Sequence, residues 1–278
     1  MKKRIGIVVL LIVAMMSFAS CGSSTNDKGS VVIAGSTSVQ PLSEALGSAY
    51  MENNKDVTVE VQGGGSGQGI KSIESEIANI GALSREVKDE EKGKIAKEYK
   101  IAMDGIAVIV NKEVGIKDLT LKQVKDIYTG KITNWKEVGG KAGKIAVVSR
   151  EEGSGTRGAF VEITGVLTKD AKGTEKDLTT KDAIVQPSTG AAKQTVAKTP
   201  NAIAYVSLEA LDETVDTVKI QGVEPTAKTV IDGTYKITRP FVYVVGEKVD
   251  KKTQAFIDFV MGEEGQKLVK ENGFIPVK

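Results

Sequence analysis

Three short stretches of the chain share one chemical grammar: "GSTS" at 35–38, "GGGSGQG" at 63–69 and "GSGT" at 153–156. Each is rich in Gly, Ser and Thr, follows a strand-like apolar run and opens a helix-like segment. A helix N-terminus carries unpaired backbone N–H groups and about half a positive charge. Glycine lets the backbone come close to a ligand, and a Ser or Thr hydroxyl adds a donor. One such junction needs no explanation beyond helix capping. Three that converge would form a cage of N–H and O–H donors fitted to a small tetrahedral oxyanion. Arg150, in "REEGSGTR" (150–157), would add a charge-assisted, bidentate contact.

Other chemistries fail on the same residues. The chain has no histidine and one cysteine, which removes Ser-His catalysis, His-ligated zinc, cysteine metal clusters and internal disulfides. "GGGSGQG" is followed by no Lys-Ser/Thr and fits G-x-G-x-x-G in neither frame, so no nucleotide site is indicated. No Ser-x-x-Lys occurs, and the serine of "GSGT" has nothing to activate it. No metal or cofactor is expected.

The elements that would position these residues alternate between strand and helix. Strand-like runs are expected at 30–35, 56–62, 78–83, 100–111, 144–149 and 202–207, with strand character around a turn at 229–246. Helices are expected at 38–53, 66–77, 86–99, 120–130, 156–167, 189–200 and 251–273, the last amphipathic and closed by a glycine. Residues 169–182 are polar and poorly patterned. The alternation predicts an α/β architecture with largely parallel sheets.

The N-terminus reads as a targeting segment. Lys2, Lys3 and Arg4 precede the apolar run 5–18, and "FASC" (18–21) resembles a bacterial lipoprotein signal cut before Cys21, which would carry the lipid (palmitate among its acyl chains). Phe18 departs from the usual leucine-like residue of such signals. The 14-residue apolar run is short for a membrane span. "GSSTNDKGS" (22–30) would be a flexible tether. Without Lys2, Lys3 and Arg4 the 38 basic residues become 35 against 36 acidic, a net charge of −1. No global basic surface offers itself to nucleic acid.

Six segments in one order carry a family resemblance: "GSTSVQPL" (35–42), "QGGGSGQGI" (62–70), "DGIAVIVNK" (104–112), "IYTGKITNWKEVGG" (127–140), "SREEGSGTR" (149–157) and "NAIAYVS" (201–207). Together they resemble the phosphate-binding lipoproteins (PstS family) of Pst-type phosphate ABC transporters, from about residue 30 to the C-terminus. The resemblance implies a type II periplasmic-binding-protein fold, two α/β lobes joined by two crossover segments with a ligand cleft between them. The signal would span 1–20, the tether 21–30, lobe one 31–104 plus 238–278, and lobe two 105–237.

The resemblance also assigns residues. Phosphate would be held by Thr37, Ser38 and Ser66 in one lobe and by Arg150, Ser154, Gly155 and Thr156 in the other. Many relatives place an aspartate after the third strand as acceptor for the phosphate proton; here "IGALSR" (80–85) puts Ser84 there. Asp104, at the expected crossover, is a candidate replacement acceptor or an orienting group. Arg85 is read as contacting the anion or, in preference, pairing with an acid on the following helix, Trp135 as packing, and Ser188 and Thr189 as capping a helix or, second, lying at the cleft edge. Arg157 is read as a surface or inter-lobe residue, and Glu151 as turned outward or holding Arg150.

The function implied is capture of inorganic phosphate by a monomeric, non-enzymatic protein lipid-anchored on the extracytoplasmic face of the cell membrane, and its delivery to the permease subunits of an ABC transporter. The alternatives are a binding protein for sulfate or molybdate, an extracellular phosphoryl-handling enzyme, and an adhesion or sensor protein that kept the fold without the ligand.

Overall fold

The computed structural model describes residues 29–170 and 174–277. The expected signal and Cys21 lie outside the described residues. Twelve strands and eight helices follow one another as β1 (Gly29–Gly35), α1 (Gln40–Asn53), β2 (Val57–Gly63), α2 (Ser66–Glu74), β3 (Ile80–Leu83), β4 (Lys97–Val110), β5 (Asp118–Leu119), α3 (Leu121–Tyr128), β6 (Ala146–Arg150), α4 (Gly155–Ile163), β7 (Leu167–Lys169), β8 (Glu175–Asp177), β9 (Ile184–Gln186), α5 (Thr189–Lys198), β10 (Ala202–Ser207), β11 (Asp216–Ile220), α6 (Ala227–Ile231), β12 (Thr238–Val245), α7 (Lys251–Met261) and α8 (Glu263–Glu271).

Ten of these strands form one sheet along the order β2-β1-β3-β12-β4-β10-β6-β9, with β11 on β4 and β5 on β11; β7 and β8 form a separate hairpin. The sheet is organised by β4. Its first part pairs with β12 from Lys97 to Gly105, and its last part with β10 from Ile106 to Val110. Near-continuous Ile and Val suit a strand buried on both faces. Ile101 and Ala102 enter a core with Val31, Ile33, Leu42, Ile80, Tyr243 and Phe256. Ile106, Val108 and Val110 enter a second core with Trp135, Phe160, Ile203 and Tyr205. The molecule is thus an α/β fold of two lobes, with β4 passing between their cores and the chain crossing back from Ile237, in the second core, into β12, in the first.

The sheet is mixed, where a largely parallel one was expected. β1 pairs in parallel with β2 and β3, and β6 with β10 and β9. The passing strands are antiparallel to their neighbours: β12 to β3 and β4, and β4 to β10 and β11. Those pairings join residues some 90 to 160 positions apart, which local patterning does not report.

Three expected elements differ. Residues 86–99 form a 3-10 turn at Asp89–Lys94 and then the start of β4. Glu91 takes the Arg85 guanidinium in two bonds of 2.7 Å and accepts the Lys88 amide, which tightens the turn, while Lys97–Tyr99 are drawn into register with Tyr243–Val245. Residues 229–246 hold the end of α6 as well as β12. The C-terminal helix is two helices, broken at Gly262, whose backbone is extended. Gly265 lies so close to the Phe259 and Val260 carbonyls that only glycine fits. Gly273 closes α8 at φ 82°, as expected.

Candidate functional site

The three Gly-Ser-Thr junctions meet. β1 ends at Gly35 (φ 144°), where a side chain would strike the Ala82 backbone, and the chain turns there into Ser36, Thr37 and Ser38 ahead of α1. β2 runs into Gly65 (φ 87°), which presents Ser66 at the first position of α2. β6 ends at Arg150, and its turn delivers Ser154, Gly155 and Thr156 to the start of α4. The Gly67 amide donates to the Gly153 carbonyl at 3.0 Å, tying the start of α2 to the loop before α4.

The hydroxyls form a buried network of two groups, joined where the Ser38 amide donates to Ser36 Oγ at 3.2 Å. Ser38 Oγ lies 2.9 Å from Thr156 Oγ1. Ser36 Oγ donates to Ser84 Oγ at 2.8 Å, and the Ser84 amide donates to Ser66 Oγ at 3.1 Å. Ser154 Oγ caps α4 by accepting the Arg157 amide at 3.2 Å, which leaves its hydrogen free to donate. Any side chain at 155 would collide with the Ser66 and Ser84 hydroxyls. The eight residues Thr37, Ser38, Ser66, Ser84, Arg150, Ser154, Gly155 and Thr156 are therefore brought together.

Arg150 is about 1% exposed, and all three of its guanidinium nitrogens donate hydrogen bonds. Nε donates to Glu151 Oε2 at 2.9 Å and to the Gln186 carbonyl at 3.1 Å, and Nη2 to Glu151 Oε1 at 3.0 Å. Nη2 also reaches Thr37 Oγ1 at 3.3 Å, and Nη1 reaches Thr189 Oγ1 at 3.2 Å. Glu151 thus holds Arg150, while Glu152 is exposed. Arg157 pairs with Asp177 and donates to the Arg150 carbonyl at 3.0 Å. Tyr205 accepts the Arg150 amide at 3.2 Å, and burial pushes its hydroxyl up to about 12, so it stays protonated. These contacts fix the strand end from which the guanidinium projects.

Asp104 sits behind the network. Its Oδ2 accepts Arg239 Nε at 3.1 Å and Nη2 at 2.9 Å, with both side chains about 1% exposed. Arg239 Nη1 donates to the Ser84 carbonyl at 3.3 Å. Burial pushes the Asp104 carboxyl above its ordinary value, against the pull of Arg239. The Ser207 hydroxyl lies beside the carboxylate without closing an ordinary hydrogen bond. Asp104 thus engages Arg239, and Arg239 reaches the backbone of Ser84.

Several secondary expectations resolve plainly. Arg85 pairs with Glu91. Trp135 is fully buried and donates to the Asn201 carbonyl at 3.0 Å. Ser188 caps α5. Thr189 takes the second of its two expected places and belongs to the network: its Oγ1 lies 2.9 Å from Ser38 Oγ and 3.3 Å from Thr37 Oγ1. Ser36 is a residue that sequence reasoning missed. "PSTG" (187–190) before α5 repeats the grammar of the other junctions, which was the available signal for Thr189. Among the described residues no group of three or more carboxylates or cysteines is placed to hold a metal, and no helix is long and apolar enough to cross a membrane.

A family model described as a PBP superfamily domain matches residues 22–264. The phosphate-binding protein PstS of Bacillus subtilis (strain 168) is 36% identical over 299 aligned positions, covering 100% of this chain and 95% of that protein. The chain belongs to the PstS family. PstS of Borreliella burgdorferi is 31% identical with full coverage of both chains. Among solved structures, a putative phosphate ABC transporter substrate-binding protein with bound phosphate from Clostridium perfringens superposes with a TM-score of 0.84 at 45% identity, covering 90% of this chain and 100% of that one. An ABC-type phosphate transport receptor from Vibrio cholerae gives 0.73 at 33% identity, covering 88% and 99%. The PstS relatives therefore span the whole described fold, including every junction that supplies the network.

Proposed function

We propose that this chain is an extracytoplasmic phosphate receptor that captures inorganic phosphate and hands it to an ABC permease. The observation that carries the reading is the convergence of Thr37, Ser38, Ser66, Ser84, Ser154, Gly155, Thr156 and Arg150 at three helix N-termini in a family of phosphate-binding proteins. A buried tetrahedral anion is stabilised there by aligned N–H and O–H donors and one guanidinium, the Gly155 amide among them. No bond is made or broken, since the hydroxyls lack a base and serve as donors. Asp104 acts as an orienting group through Arg239, and Ser84 Oγ accepts the proton of a protonated phosphate.

The lobes are 31–104 with 238–278, and 105–237, a division supported by the two cores that β4 joins and between which the chain returns from Ile237 to Phe241. Their closure over the anion distinguishes loaded from empty receptor. Cys21 anchors the chain to the membrane through lipid after residues 1–20 are removed, and the receptor works as a monomer. Titration calorimetry with phosphate and sulfate tests the reading: micromolar or tighter phosphate binding without a sulfate signal supports it. One observation favours a broader oxyanion receptor, namely that a hydroxyl at Ser84 stands where a carboxylate would reject an unprotonated anion. Comparable sulfate and phosphate affinities would establish that second reading.

A further inference from the structure

The direction of each hydrogen bond around Thr189 follows from counting. A hydroxyl has one hydrogen to donate and two lone pairs that accept. Thr37 Oγ1 accepts Arg150 Nη2 and the Thr189 amide, each at 3.3 Å, so both its lone pairs are used. In its 3.3 Å contact with Thr189 Oγ1 it must therefore donate. Thr189 Oγ1 then accepts from Thr37 and from Arg150 Nη1 at 3.2 Å, which fills its own lone pairs. Its hydrogen goes to Ser38 Oγ at 2.9 Å. The chain of donation runs from Arg150 through Thr37 and Thr189 to Ser38, which touches Thr156.

We infer that Thr189 is a further anion-binding residue, a donor contributed by the start of α5. The inference rests on the phosphate-receptor reading and deepens it. Thr189 is about 5% exposed, and its hydroxyl hydrogen points toward Ser38 in the same buried space as Arg150 Nη1 and Thr156. An anion oxygen entering between Ser38 and Arg150 takes that hydrogen in place of Ser38 Oγ. Because Arg150 and Thr37 fill its lone pairs, Thr189 acts toward the anion only as a donor. It also holds Ser38 and Thr37, from the first junction, in register with Arg150, from the third.

Titration calorimetry of the whole chain with inorganic phosphate tests this on Thr189→Val, Thr189→Ser and Ser188→Ala. Valine keeps the shape and deletes the donor, and should weaken phosphate binding by about tenfold. Serine restores the hydroxyl and should bind within about threefold of the parent. Ser188→Ala removes the α5 cap without touching the network, so it should lower the unfolding midpoint and leave phosphate affinity unchanged. Parent-like affinity in Thr189→Val overturns the inference, as does Thr189→Ser as weak as valine, or Ser188→Ala as weak as Thr189→Val. A parent chain that binds no phosphate removes the receptor reading itself and this inference with it.

Discussion

Two buried guanidiniums lie close to one network, and the residues beside them give them different tasks. Arg150 is held by the carboxylate of its own neighbour, Glu151, yet keeps Nη1 and Nη2 on the hydroxyls Thr189 and Thr37. Arg150→Ala removes the one charge-assisted donor from a buried anion and should weaken phosphate binding by about 3 kcal/mol, on the order of a hundredfold in Kd. Titration of the variant checks this, and near-parental affinity would remove Arg150 from the site. Arg239 faces the other way, onto Asp104 and the Ser84 carbonyl. Asp104→Asn leaves that guanidinium buried without its counter-charge, which should lower stability by about 3 kcal/mol. Denaturant unfolding reads that loss, while phosphate-over-sulfate discrimination should stay as in the parent. Intact stability with lost discrimination would instead make Asp104 the acceptor of the phosphate proton.

At the scale of elements, the junctions were legible because their logic is local. Glycine at 35, 65 and 155, hydroxyls beside it and a helix beginning within a few residues can all be read from adjacent positions. Gly155 shows how narrow that logic is. Alanine near a helix start ordinarily stabilises by up to about 1 kcal/mol relative to glycine. Here its Cβ would meet the Ser66 and Ser84 hydroxyls, so Gly155→Ala should reverse the sign, costing about 1–3 kcal/mol in a thermal melt, and should weaken phosphate binding at least tenfold. A stabilised variant with parental affinity would show that the junctions do not pack as described. What stayed hidden was non-local. Nothing adjacent to "EVKDEEKGKIAKEY" (86–99) announces that Tyr99 pairs with Tyr243. The antiparallel course of β4 and β12, and the arrival of Thr189 beside Ser38 from 151 positions away, are equally products of tertiary pairing.

For the whole molecule, β4 is the strand that the two cores share, and the Asp104–Arg239 pair lies where β12 crosses against it, Arg239 facing Asp104. Behind the network stands this buried pair; in front, donors from both lobes converge. A bound anion would take hydrogen bonds from each lobe at once, so affinity and closure become one free energy. The selectivity of that coupling rests on whether a network of hydroxyls, with no carboxylate facing the anion, still prefers a protonated phosphate. The most direct measurement is titration calorimetry of the chain with phosphate and with sulfate at neutral pH. The account predicts a single phosphate site of micromolar or tighter affinity and no measurable heat with sulfate. No phosphate binding, or sulfate bound as tightly as phosphate, would contradict it.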